Sequence, residues 1–382
     1  MAQYKIFLSA CEASAEKHCL ELMTSIKDKV AREGGQVSFS GIGGKKMQEA
    51  GCEIIADTVS RAAMIYNAFG QVGYYYKLIK KVKCFLQENP QDVVVVCDSP
   101  AFNFHIAKAA KKANTKVLFY VAPQLWAWAP WRIHKLKRCC DRLACILPFE
   151  EKWFSDRGVK AEFVGNPLFD EIDVNIDQCL KSYDLYKPES AKIALLPGSR
   201  KAEIDSLWKP MQQIAVNLKK RYPAIRFVAV GSDEEKLDIL RASQISGFEC
   251  EYRLDKVIDT CRQVDYAFVA SGSATLQVAS AACPMTVMYQ SNKLLWHLLG
   301  RWLINIKHLS LVNILASKRL VPEYMPYFDS VEPISDEACL LLSDKNSLKT
   351  TSEALVELVK PLADFKTCNA VADIVLDICD SN

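Results

Sequence analysis

No CxxC pair occurs in the 382 residues, and the five histidines do not cluster with cysteine, so the spacing of a structural zinc site is missing. No GxGxxG follows the first strand candidate, which counts against a dinucleotide-dependent dehydrogenase. No apolar stretch reaches the roughly 18 to 20 residues of a membrane-spanning helix. The first residues offer one lysine and a short apolar run at 6–8, so neither a signal peptide nor an anchor is expected. Neither sign of charge dominates. The 48 basic residues against 45 acidic ones leave a formal +3, so no global field points to nucleic acid, and any basic surface must be local. Internal repeats and low-complexity segments are also lacking.

Cysteine, by contrast, is plentiful. Fifteen are present, an odd number, scattered from Cys11 to Cys379 inside apolar runs such as VVVVCD and VADIVLDICD. They read as small buried hydrophobes of a reducing compartment, and a cytoplasmic protein is expected. Half of the chain is apolar and 24% charged, at a length that favours two globular domains over one core.

Short apolar runs alternate with helical patterns throughout, which predicts an α/β fold with two Rossmann-like, doubly wound parallel sheets. Strands are expected at 5–9, 37–41, 92–98, 116–121, 142–146 and 161–164, and after a restart at 193–196, 226–230, 266–270 and 285–289. Residues 170–192 are polar, contain Pro188 and show no strong period, so the reading is a domain at 1–169, a linker at 170–192, and a second domain at 193–350. Helices at 351–382 follow, free to pack back on the first domain. In two such domains ligands bind at the carboxyl ends of the strands, facing a cleft.

Four βα turns carry candidate chemistry. The first, KIFLSACEASAEKH at 5–18, has the outline of a ligand-holding turn but no glycine of the kind a phosphate cradle needs. In VVVVCDSPAFN a buried strand stops at Asp98, which suits either a general base at a cleft edge or, equally, a cap for the helix at 102–113. In IALLPGSRKAEI, Gly198 admits close backbone approach, the next N–H groups suit an anion, and Arg200 adds a fork for a diphosphate; an ordinary turn capped by Ser199 is the alternative. In FVASGSATLQVAS, Ser271, Gly272, Ser273 and Thr275 repeat that logic, so the two turns together favour a nucleotide-sugar or dinucleotide.

Two further segments are aromatic or amphipathic. YVAPQLWAWAPWRIHKLKR sets Trp126, Trp128 and Trp131 beside five basic residues, readable as a nucleic-acid, sugar or membrane-interface surface, or as a packed loop. NKLLWHLLGRWLINIKHL puts Lys293, His297, Arg301 and Asn305 on one helical line and Leu294, Leu298, Trp302 and Ile306 on the next, the pattern of a helix lying on an anionic membrane. GYYYKLIKKVKCF at 73–85 has a similar character, and an ordinary core helix explains either segment alone.

The segments CDSPAFN, VAPQLWAWAPWR, LPFE, FVGNPL, ALLPGSRKAEI, ASGSATLQ, CPMTVMY and LSLVNILA occur in order and at the expected distances, and the chain resembles the lipid-A-disaccharide synthases over about residues 5–330. The resemblance implies a GT-B glycosyltransferase that inverts the donor's anomeric centre. Its substrates would be UDP-2,3-diacylglucosamine and 2,3-diacylglucosamine 1-phosphate, condensed to a β(1→6) disaccharide with release of UDP. Asp98 matches the base for the acceptor 6-hydroxyl. Gly198, Ser199, Arg200, the 271–275 turn, Gln277 and Asn313 match the UDP-sugar side. Glu12, Ser14, Glu16, His18 and Asn103 are then expected on the acceptor side. No metal or other cofactor is implied, and no nucleic-acid partner. The acylated substrates agree with an amphipathic helix at 293–306 and peripheral association with an anionic inner membrane, and a homodimer is left open. The chain departs from the family where Cys11, Ala15 and Cys19 replace glycines, Glu16 an aspartate, Gln277 a glutamate and Ser317 a glycine. An epimerase of UDP-sugars with the same two-domain architecture, or a UDP- or lipid-binding homologue without turnover, are the other readings.

Overall fold

Two all-parallel sheets account for the alternation. In the computed structural model the described residues are 2–60, 68–170, 179–291, 293, 296 and 306–381, the side chains of 68–72 excepted. The chain divides into two units, Met1–Ile172 with Leu362–Asn382, and Asp173–Pro361.

The first unit holds β1 (Gln3–Ala10), β2 (Gln36–Gly43), β3 (Cys52–Asp57), β4 (Val93–Cys97), β5 (Lys116–Tyr120), β6 (Arg142–Cys145) and β7 (Ala161–Phe163), in the order β3-β2-β1-β4-β5-β6-β7. Its centre is fully apolar. All five residues of β4 are buried, and β-branched side chains suit a strand covered on both faces. The helix Ala13–Arg32 places Ala15, Cys19, Leu22, Met23 and Ile26 against β1 and β4 in one core.

The last helix, Thr367–Asp380, adds Val371, Ile374, Val375 and Ile378 to that same core. It is anchored at both ends: Asp170 accepts the N–H bonds of Thr367 (2.9 Å) and Cys368 (3.1 Å), and Tyr4 donates to Asp380 at 2.6 Å. The chain rejoins the first unit at Leu362, so most of the preceding helix, Lys345–Ala363, belongs to the second unit.

The second unit holds β8 (Lys192–Leu196), β9 (Arg226–Gly231), β10 (Glu251–Leu254), β11 (Tyr266–Ala270), β12 (Met285–Met288) and β13 (Glu323–Tyr324), in the order β10-β9-β8-β11-β12-β13. Its core joins Ile193, Leu195, Phe227 and Phe268 of the strands to Leu207, Trp208 and Met211 of the helix Lys201–Arg221 and Ile334 and Leu342 of the helix Glu332–Ser343. The stretch expected as a linker is, in its described part, packed onto this unit. Lys181 donates to the carbonyls of Cys261 (2.6 Å) and Arg262 (3.2 Å) at the end of the helix Val257–Gln263, and Tyr183 is buried in the core. Polar composition there satisfies a helix C-terminus rather than water.

The order of the strands selects the turns that matter. Strand order reverses between β1 and β4 in the first unit and between β8 and β11 in the second. In open parallel sheets, the turns after the strands that flank such a reversal hold ligands. These are the four turns singled out from the sequence.

Candidate active site

In the first unit the chain turns sharply as β4 ends. Asp98 and Ser99 stand at φ +50° and +43°, two consecutive non-glycine residues in the left-handed region, each less favourable there by about 1–2 kcal/mol. Such strain persists only where surrounding bonds over-determine it, and it collects at functional sites. Asn103, fully buried on the next helix, supplies those bonds. Its Nδ2 donates to the carbonyls of Cys97 (2.9 Å) and Asp98 (2.8 Å), and its Oδ1 accepts from the Ser9 hydroxyl at 2.6 Å. Asp98 N–H donates to Tyr120 O at 3.0 Å, tying the turn to the end of β5. Half-buried Asp98 is thus held at the carboxyl edge by backbone contacts on two sides.

The glycine-free first turn meets this one directly. Ser99 Oγ donates to Glu12 Oε1 at 3.2 Å, and Glu12 and Ser14 are exposed. His18 is half-buried with its ring 6.0 Å from that of Tyr120. Tyr75 packs on Phe102 at 5.3 Å, and burial first, then Cys11, Tyr74 and Glu12, pushes its phenol up.

Two residues expected to meet a ligand here are committed elsewhere. Glu16 is only 4% exposed and accepts from Met47 N–H at 3.2 Å, so its carboxylate caps the short helix Lys45–Glu49. Asn103 holds the turn from beneath and is not exposed to a ligand.

The tryptophan-rich segment after β5 splits by role. Trp126 is buried, packs edge-on against Phe149 at 4.8 Å, and donates its indole N–H to Glu150 Oε1 at 2.9 Å. Glu150 also accepts from Ile146 N–H (3.2 Å) and Leu147 N–H (3.1 Å), capping the helix Pro148–Ser155. Burial pushes its carboxyl up to about 7 although those three bonds oppose the rise. Trp128 lies 4.9 Å from the Arg132 guanidinium, and Trp131 is 58% exposed. Val121, a β-branched residue at φ +65°, marks where this segment leaves β5.

In the second unit the turn after β8 departs from the expected open phosphate cradle. Glu203 Oε2 accepts both Ser199 N–H and Arg200 N–H at 3.1 Å. Gly198, at φ +105°, leaves room for that carboxylate: a Cβ would lie 2.3 Å from Glu203 Oε2. Arg200 Nη1 meets Glu203 Oε1 at 3.1 Å while its side chain stays 79% exposed. The cation is presented outward and the amides are already used.

After β11 the geometry is more open. Gly272 is exposed at φ +152° with nothing within 4 Å of an added Cβ, and Ser273 is exposed. Thr275 is buried and its hydroxyl donates to Gly272 O at 2.7 Å, so it holds the turn. Gln277 is half-buried on the same helix.

The asparagine expected on the UDP-sugar side, Asn313, is turned inward as Asn103 is. It is fully buried and makes four bonds: Nδ2 to Val321 O (2.9 Å) and Glu323 Oε2 (3.0 Å), Oδ1 from Leu320 N–H (2.8 Å) and Val321 N–H (3.0 Å). That exhausts an amide's ordinary capacity. Glu323, missed in the sequence, also accepts from Ser310 Oγ at 2.7 Å; burial pushes its carboxyl up, but the bonds from Ser310, Asn313 and His308 outweigh it and leave it below the usual range.

Of the amphipathic segment at 293–306, Leu294, Leu298, Arg301 and Trp302 lie outside the described residues. Lys293 pairs with Asp329, and Ile306 is half-buried. The other amphipathic segment lies on the helix Ala68–Glu88, where Leu78, Val82 and Leu86 are core residues. Its lysines at 77, 80, 81 and 83 face solvent beside Tyr76, which is 71% exposed. Its apolar side is therefore used in packing.

Comparison with known proteins decides between the readings. The lipid-A-disaccharide synthetase family model matches residues 6–378. The chain belongs to this family. It is 32% identical to a lipid-A-disaccharide synthase of Geobacter metallireducens over 98% of this chain and 97% of the relative, and 30% identical to lipid-A-disaccharide synthase 1 of Legionella pneumophila Philadelphia 1 over 97% of each. Among solved structures, the S. aureus MnaA–UDP co-structure aligns with TM-score 0.60 at 12% identity, covering 98% of this chain and 97% of that one. The calicheamicin glycosyltransferase CalG4 aligns with TM-score 0.59 at 13% identity, covering 100% and 99%. These likenesses establish the two-domain α/β GT-B fold and nothing finer, so the UDP-N-acetylglucosamine 2-epimerases that also align at about 10% identity do not favour an epimerase here.

Several of the positions read from the sequence as departures from the family's pattern have physical accounts in the structure. Ala15 and Cys19 are fully buried in the core and Cys11 nearly so, which takes Ala15 and Cys19 out of reach of a ligand. Burial, then Glu12 and Cys19, pushes the Cys11 thiol up to about 12, so it stays protonated at neutral pH. Ser317 ends the helix Leu311–Ala316 at φ +53°, the conformation for which a glycine is the usual choice. Nothing in the structure explains Gln277.

Proposed function

We propose that the chain transfers a 2,3-diacylated glucosamine from UDP to the 6-hydroxyl of 2,3-diacylglucosamine 1-phosphate, forming the β(1→6) disaccharide and releasing UDP. The Asp98 turn carries the reading: a carboxylate at a switch-point edge, on a strained backbone that Asn103, Ser9 and Tyr120 hold in place. In this mechanism the Asp98 carboxylate takes the proton of the acceptor 6-hydroxyl as that oxygen attacks C1 of the donor sugar. The bond from C1 to the diphosphate oxygen breaks on the opposite face, the anomeric centre inverts, and UDP leaves with the bonding pair. Outward-facing Arg200 offsets the charge that develops on the leaving diphosphate. Glu12, Ser14 and His18 remain as polar groups for the acceptor.

No described helix is long and apolar enough to cross a membrane. Association with an anionic membrane surface is supported by the exposed lysines of the helix Ala68–Glu88 and by the acyl chains both substrates carry. The test is to mix purified protein with the two acylated sugars and detect the disaccharide by mass spectrometry. Product must depend on both substrates and be lost in Asp98→Ala; full turnover by that variant removes the base assignment.

A further inference from the structure

We infer that Glu203 is a positioning residue for UDP: it fills the amide seat of the turn after β8 and holds Arg200 so that the guanidinium, not the turn's backbone, meets the diphosphate. The inference rests on the reading that the second unit binds the UDP part of the donor. Three observations carry it. Ser199 and Arg200 both give their N–H to Glu203 Oε2 at 3.1 Å, so an incoming phosphate finds these donors engaged. Gly198 has its Cβ space occupied, 2.3 Å from Oε2 and 2.8 Å from Glu203 Cβ, so the glycine serves the carboxylate and not a ligand. Arg200 is held through Nη1 alone, with its side chain 79% exposed while that of Glu203 is 13% exposed.

That asymmetry has a chemical meaning. A guanidinium has five N–H donors in a rigid fork, and engaging one end fixes the plane while leaving the others for a bidentate contact with phosphate. The half-buried carboxylate also holds the start of the helix Lys201–Arg221, whose N-terminal N–H groups need an acceptor. One side chain therefore builds the turn and orients the cation. A diphosphate that instead took the amides would have to expel Glu203 first.

The two possibilities predict opposite signs. Calorimetric titration with UDP is made on the full chain, as wild type and as Glu203→Gln, Glu203→Ala, Arg200→Ala and the double variant Glu203→Ala with Arg200→Ala. Glu203→Gln keeps an acceptor for the amides but loses the charge that faces Arg200, and UDP binding weakens about threefold to tenfold, the range expected for one oriented charge-assisted contact. Glu203→Ala weakens it further. In the Arg200→Ala background the Glu203 change has no additional effect on UDP affinity, a coupling that a purely structural role would not produce.

Tighter UDP binding by Glu203→Ala would mean that freed amides are the true seat, and would overturn the inference. Equal affinity of wild type and Glu203→Gln, or additive losses in the double variant, would overturn it as well. If Glu203→Ala does not fold, the near-isosteric glutamine variant decides alone. A wild type that fails to bind UDP at all refutes the underlying assignment of the second unit, an outcome distinct from the others.

Discussion

Replacing Asn103 with alanine tests whether the Asp98 turn is held from below. The residue has no solvent exposure and takes part in three bonds: from Ser9 Oγ at 2.6 Å, to Cys97 O at 2.9 Å and to Asp98 O at 2.8 Å. Each is worth about 0.5–1.5 kcal/mol net, and stranding the fully buried Ser9 hydroxyl adds about 1–3 kcal/mol. Allowing for overlap between these terms, the expected loss of stability is on the order of 3 kcal/mol. It is read from the denaturant midpoint of the transition that includes the first unit.

The effect on turnover is separate and more telling. Asp98 and Ser99 both stand at positive φ, and the bond from Asn103 Nδ2 to Asp98 O helps to hold them there. Without it the turn relaxes toward ordinary backbone, and misplacing a reacting group by about 1 Å can cost on the order of 100-fold in rate. The loss should fall in kcat while KM for both sugars changes little, because Asn103 is not itself exposed to substrate. Asn103→Asp sharpens the test: it sets a carboxylate oxygen against two carbonyl oxygens where a donor stood, and should cost more than alanine in both readouts. An alanine variant that loses less than about 1 kcal/mol and keeps wild-type kcat refutes the argument.

Two other changes have signs fixed by the structure. Ser317→Gly places the permissive residue at φ +53° and should raise stability by about 0.5–1 kcal/mol, seen as a higher melting temperature; a lower one contradicts the C-cap account. Glu150 has its carboxyl raised by burial from an ordinary 4.5 to about 7, so in that window the folded chain binds the proton more tightly than the unfolded chain does. Its contribution to stability is full below about pH 4.5 and is lost as pH rises through about 7, on the order of 3 kcal/mol at roughly 1.4 kcal/mol per pH unit. Glu150→Gln removes the titration, so its stability relative to wild type should climb between about pH 5 and pH 8; a flat difference refutes the buried-carboxyl reading.

The parallel sheets were legible because their central strands are continuous apolar runs. Three strands not anticipated, β3, β10 and β13, all lie at sheet edges, where a strand is only partly covered and need not be apolar. The turns of the site were legible too, since strand, small or polar turn and helix follow one another in a fixed order. What each polar side chain does within a turn was not. Glu16, Asn103 and Asn313 were expected to meet ligand, yet each is buried and bonded to backbone. The same residue types serve both purposes, because a carboxylate or amide that can bind a hydroxyl can equally satisfy an N–H or a carbonyl a few residues away. Glu203 shows the one usable signal: an acidic residue three positions into a helix, the spacing of a capping box, foretells an internal acceptor.

Glycine therefore marks close approach without saying what approaches. At Gly198 the approaching group is the chain's own Glu203 carboxylate. At Gly272 the space is open, and the residue stays available to a ligand. The first turn has no glycine and yet is built as tightly, because Ala15 and Cys19 close the helix against β1 and β4 while Ser99 and Glu12 join the two turns at 3.2 Å. A glycine-free turn at that place argues against a phosphate cradle and not against catalysis. The carboxylate at that edge of the first unit is Asp98, and the bond from Asn103 to its carbonyl, backed by the bond from Ser9 to Asn103, holds the backbone there.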